Sequence, residues 1–135
     1  MKLTQSEFIK LALAGDRKAD EFVAERAMGW KRNLYGDETR SRFRWIDPRG
    51  TTQIDEPPYA TCLDTTPRSW VLFGEMWEKL LPLCHRAISL IAWNPKRLGG
   101  CRGIIVGEAE NEVRYVPRCL AMCLALCEVL NLFER

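Results

Sequence analysis

The feature that most constrains this chain is its closing stretch, residues 112–130, which reads as one long, strongly apolar helix. No other segment is greasy enough to be the centre of a core. Pro117 suits the first helical position, where its missing N–H costs nothing and its fixed φ is already helical. Two arginines sit at this start: Arg114 just before it and Arg118 in its first turn. A helix N-terminus carries partial positive charge and prefers anions. Cations placed there either have acidic neighbours or receive an anionic ligand.

At 135 residues the chain reads as one domain, 1–135, large enough for a core without staples. Its net charge of +2 makes no demand for nucleic acid or an acidic membrane. Arginine dominates the positive charge, and its planar fork suits carboxylate or phosphate. The opening Met1-Lys2-Leu3 runs at once into Gln5, Ser6, Glu7 and Lys10, so no signal-peptide core forms. No apolar run is long enough to span a bilayer. The expectation is a cytoplasmic protein, whose six cysteines are then free thiols rather than a disulfide framework.

Thr4 and Glu7 form a capping-box pattern ahead of Phe8, Leu11 and Ala12, giving a short helix over residues 4–14. Asp16 caps a second helix, with Ala19, Phe22, Val23 and Ala27 on its apolar face and Asp20, Glu21, Glu25 and Arg26 in water. Residues 30–54 read as β structure around a loop. In it Arg40, Arg42 and Arg44 alternate with Phe43 and Trp45, which point the other way. Asp47-Pro48-Arg49-Gly50 is a type I turn leading to a return strand that ends before Pro57 and Pro58. Thr66-Pro67 starts a third helix carrying Val71, Met76, Trp77, Leu80 and Leu81. Residues 84–93 and 101–108 form strands joined by a hairpin-like loop. This order argues for an α+β fold: an antiparallel sheet flanked by helices, with one long C-terminal helix.

Catalytic and metal chemistry find little support in the residues. His85 is the one histidine, with no nucleophile motif around it, and reads as structural. Cys119, Cys123 and Cys127 fall at i, i+4 and i+8, one helix stripe rather than paired zinc ligands, and small buried thiols suit close packing. The arginine alternation at 40–44 resembles a phosphate-tracking surface, but Asp37, Glu38, Asp47, Asp55 and Glu56 flank it. A charged, solvated sheet edge is the expectation there. The sequence therefore suggests no catalytic residue, no metal site and no cofactor.

Three motifs resemble phage-encoded ABA-sandwich domains. Residues 20–30, ending Met28-Gly29-Trp30, look like their opening helix. Pro58-Tyr59-Ala60-Thr61, followed by a helix with Trp70 and Glu78, is similar to their central Pro-Tyr-Ser-Thr segment. Residues 116–125 resemble their closing helix. The likeness covers about residues 16–130, with Ala60 in place of the serine, an insertion at 62–67 and the extra helix 4–14. It implies a phage or prophage origin and a helix–sheet–helix sandwich.

At the closing helix two accounts of the arginines stand side by side. Glu108, Glu110 and Glu112 are close enough in sequence to neutralise both. Alternatively, two guanidinium forks beside free helix N–H groups make an anion site for a diphosphate or cyclic nucleotide. In that account Trp93 supplies a base-stacking face and Asn94 edge hydrogen bonds. The ligand-binding candidates are Arg114, Arg118, Trp93, Asn94, Arg102 and Tyr115. The arginine pair also looks like that of the phage anti-Thoeris sponge proteins. That resemblance implies a non-enzymatic binder of cyclic ADP-ribose-type or cyclic-oligonucleotide immune signals in the host cytoplasm. The alternative is an accessory protein acting through protein–protein contact. A homo-oligomer is expected, through Leu126, Leu130, Leu132 and Phe133.

Overall fold

A computed structural model describes residues 2–33, 42–83, 91–93, 100–103 and 114–134; for 91–93, 100–103 and 114–116 it describes the backbone alone. The elements are α1 (Gln5–Leu13), α2 (Arg17–Arg26), β1 (Lys31–Arg32), β2 (Trp45–Ile46), β3 (Thr52–Gln53) and α3 (Arg68–Leu80). A single 3-10 turn (Leu81–Leu83), β4 (Ile91–Trp93), β5 (Gly100–Gly103), β6 (Arg114–Pro117) and α4 (Arg118–Val129) complete them. The class is α+β, as the element order implies. Among the described residues the strands form two three-stranded antiparallel sheets, ordered β1-β2-β3 and β4-β5-β6.

The local chemistry of the first two helices acts as expected. Thr4 Oγ1 accepts from the Glu7 N–H while the Glu7 carboxylate accepts from the Thr4 N–H. Gly15 follows α1 at φ 72°, a left-handed conformation that costs glycine nothing, and Asp16 then caps α2. The Asp47–Gly50 turn closes with Gly50 N–H on the Asp47 carbonyl at 2.9 Å, and Gly50 has φ 85°. Asp47 tightens it further: one carboxylate oxygen accepts from both the Arg49 and Thr51 N–H groups, each at 2.9 Å.

α4 is the centre of the core. Every residue from Arg118 to Cys127 is buried, so the helix has no solvated face. It packs against α3, the β4–β6 sheet and α1, the arrangement expected of a helix apolar all round. Each of Leu120, Leu124 and Leu126 contributes about 1.5–3 kcal/mol by leaving water. The cysteine stripe is part of this packing. Cys119 Sγ–H donates to the Ser69 carbonyl (3.2 Å) and Cys123 Sγ–H to that of Tyr59 (3.1 Å), and both thiols are free. Past the helix, Asn131 takes a left-handed φ of 56° and the chain turns back, so that Phe133 joins Phe8 and Phe22 and Glu134 N–H reaches the Leu3 carbonyl.

Several expectations are corrected. The closing helix starts at Arg118, not before Pro117: residues 114–117 form β6, and Pro117, at φ −53° and ψ 149°, is the last strand residue. Proline biases its predecessor toward extended backbone, and pairing with β5 completes that choice. The helix is thus 12 residues, only moderately long. Asp20 is fully buried rather than in water, and Phe43, expected on the same face as Trp45, is exposed whereas Trp45 is buried. On α3 the core positions are Ser69, Leu72, Met76 and Leu80, whereas Val71 and Leu81 face solvent. Thr66 does not cap α3 through its side chain; its hydroxyl donates to the Leu63 carbonyl. Leu126 and Phe133 are buried in their own core, and Leu130 and Leu132 are partly buried against it.

Candidate functional site

The start of α4 is where sequence reasoning placed an anion, and an anion is there. Asp64, on the loop ahead of α3, reaches the helix N-terminus from 54 positions away, and its Oδ1 accepts from the Arg118 backbone N–H at 2.8 Å. A carboxylate in this place satisfies a free helix N–H and complements the positive end of the helix. The Arg118 side chain turns back on the same loop. Its Nη1 donates to the Asp64 carbonyl (3.0 Å) and to Ser69 Oγ (2.6 Å), and lies 3.6 Å from the Asp64 carboxylate.

Trp70 closes this node. Its indole lies 3.8 Å from the Arg118 guanidinium carbon, a cation–π contact in a site where the arginine is 3% exposed. A desolvated guanidinium needs an opposite charge and hydrogen-bond acceptors. Asp64 supplies the charge and one acceptor, and Ser69 supplies another. The residues that supply them, 62–67 and the first turn of α3, include the insertion noted in the sequence. No local sequence signal pairs Asp64 with Arg118; what hints at it is only an acidic residue in a Thr-rich loop.

The other candidates lie on the sheet. Arg102 and Tyr115 are direct partners between β5 and β6, and Gly103 and Arg114 are the next pair. Trp93 on β4 pairs with Cys101 on β5. Five of the six candidates therefore occupy adjoining backbone positions on three neighbouring strands and the helix that follows them. Arg114 is extended rather than helical, so it does not share a helix face with Arg118. Asn94, the acids Glu108, Glu110 and Glu112, and His85 lie outside the described residues.

The three sequence motifs at 20–30, 58–61 and 116–125 meet in space. Asp20 accepts from the Ala60 N–H (2.7 Å), the Thr61 N–H (3.0 Å) and the Thr61 hydroxyl (2.7 Å), with Arg17 3.3 Å away. Burial raises its pKa, and these donors offset part of that rise. Trp30 Nε1–H donates to Tyr59 Oη at 3.1 Å, and Cys123 holds the Tyr59 carbonyl. Burial, with the nearby Glu75 charge, also pushes the Tyr59 phenol well up. Arg17 extends the network to Glu56 through its Nε (3.1 Å) and to the Glu56 carbonyl, and Trp45 Nε1–H donates to the same carboxylate at 2.7 Å. These conspicuous residues hold one loop in place.

A surface cleft of about 500 Å³ opens beside this network, with Trp30, Tyr59, Glu75, Glu78 and Lys79 in its wall. Among the described residues no three metal-ligating side chains cluster, and no helix is long and apolar enough to cross a membrane. Comparison of the chain with protein-family models, with curated proteins and with solved structures gives no match.

Proposed function

We propose that the protein is a non-enzymatic binder that sequesters a cyclic nucleotide immune signal in the host cytoplasm, as the sponge resemblance implies. In this reading the ligand lies over one face of the β4–β6 sheet, with Arg114 on a phosphate and Trp93, beside Asn94, at a base; Arg102 and Tyr115 hold register positions of the opposite face. The supporting observation is the register: Trp93 pairs with Cys101, two positions from the Gly103 that pairs with Arg114, so Trp93 and Arg114 fall on the same face of the sheet. Arg118 takes a changed role: its charge is committed to Asp64, so it anchors the strand–helix junction carrying Arg114 and Tyr115 instead of receiving phosphate. Isothermal titration with cyclic ADP-ribose isomers and with cyclic di- and trinucleotides tests this. Saturable binding of one of them, with no turnover by mass spectrometry, is the expected outcome; no binding of any overturns it.

One observation favours a second reading, in which the protein acts through protein contacts alone. The most distinctive arginine of the expected site is 3% exposed and engaged inside the chain. On that reading no nucleotide binds, and a host or phage protein co-purifies.

A further inference from the structure

We propose that the outer face of α3 is a self-association surface, on which a second copy of this chain lays its own α3 antiparallel, crossing at Gly74. At 3.6 residues per turn, the side opposite Ser69, Leu72, Met76 and Leu80 carries Trp70, Val71, Gly74, Glu78 and Leu81. Much of this side is apolar and exposed: Trp70, which also stacks on Arg118, is 53% exposed, Val71 60% and Leu81 42%. Leu63, just ahead of the helix, and Leu83, just after it, are exposed as well. Together they present on the order of 500 Å² of apolar surface, the upper end for a monomer's largest patch. With its polar surround, such a face approaches the roughly 800 Å² per partner of a stable interface.

Gly74 is the second observation. A glycine inside a helix costs about 1 kcal/mol relative to alanine. Among the described residues, a Cβ placed on Gly74 would meet no atom within 4 Å, so none of them requires the residue to be small. A helix crossing this face does, because the distance between helix axes is set by the side chains at the contact point.

Charge selects the occupant. Arg68 and Glu75 lie about two turns apart on one flank of α3, and among the described residues neither closes an ion pair. With antiparallel helices crossing at Gly74, each Arg68 lies roughly 7 Å along the axis from the partner's Glu75, within reach of an arginine side chain. The two-fold symmetry makes the contact twice.

Sedimentation velocity at micromolar concentration tests the proposal, with circular dichroism and thermal melting as checks of fold. The wild-type chain sediments as a dimer, and Gly74→Glu and Val71→Lys each sediment as folded monomers. Either variant suffices should the other fail to fold. Arg68→Glu weakens the dimer, and adding Glu75→Arg to it restores association. A monomeric wild type, a dimer unchanged in both face variants, or a charge swap that restores nothing overturns the proposal.

Discussion

Asp64 caps the helix that Arg118 begins, and the Arg118 side chain in turn holds the backbone carbonyl of Asp64. The first contact is 2.8 Å from the Arg118 N–H to the carboxylate, the second 3.0 Å from the guanidinium to the carbonyl. This reciprocity removes the oddity of a cation at a helix N-terminus. The anion that the position prefers comes from the chain itself, on a loop 54 positions earlier.

The two arginines at this junction should separate by experiment. Arg118→Ala leaves Asp64 without its cation and is expected to lower stability by about 3–5 kcal/mol in urea titration, as for other broken buried pairs. Arg114→Ala should change stability by no more than about 0.5 kcal/mol, the range of substitutions away from packed features, while abolishing nucleotide binding in calorimetry. Equal effects of both on stability would refute this division of roles.

Thr61→Val removes the hydroxyl that donates to Asp20 and keeps the side chain's shape. With one acceptor site of a buried carboxylate left unmet, a loss of about 1–3 kcal/mol is expected. The indole N–H of Trp30, which bonds Tyr59 on the same loop, should shift in its NMR signal. An unchanged melting temperature would mean that the Asp20 contacts do not fix this loop.

Two aspartates should titrate in opposite directions by carboxyl-carbon NMR. Asp47 is held below its ordinary value of 3.8, first by the Thr51 N–H; its contribution to stability is present above 3.8 and lost as pH falls through its folded pKa. Asp20 lies above 3.8 because burial disfavours its charge. Its ionisation opposes folding above the folded pKa, and that opposition is relieved as pH falls toward 3.8. Titration of both at one midpoint would contradict the two environments.

Thiol labelling examines the core. Burial raises the Cys119 thiol to about 12 and pushes Cys123 and Cys127 well up, so few thiolates exist at neutral pH. Iodoacetamide mapped by mass spectrometry should modify these three only after unfolding. Fast labelling of the native protein would place α4 nearer the surface.

What could be read from the sequence was what is local. Capping by Thr4 and Asp16, the Asp47–Gly50 turn and the apolar character of α4 depend on residues within a few positions of each other, and all appear in the structure. The errors arise where distant chain decides. Pro117 was equally suited to a helix start or a strand end, and pairing with Gly100 on β5 selected the strand. Asp20 carried a solvent-facing pattern until the 58–61 loop, some 40 positions later, brought three donors to it. At the candidate site the pairing of the strands that carry Trp93 and Arg102 follows from the hairpin pattern, whereas Arg114 and Tyr115 on a third strand, and Asp64 over the α4 N-terminus, became visible only in the fold.

The most direct test of the account is a double-mutant cycle of Asp64→Asn and Arg118→Met, followed by urea unfolding. If Asp64 is the anion that answers Arg118, each single substitution is costly and the double mutant loses less than their sum, with a coupling of about 1–3 kcal/mol. Additivity within about 0.5 kcal/mol would show that the two side chains act independently, and the pairing at the head of α4 would have to be abandoned.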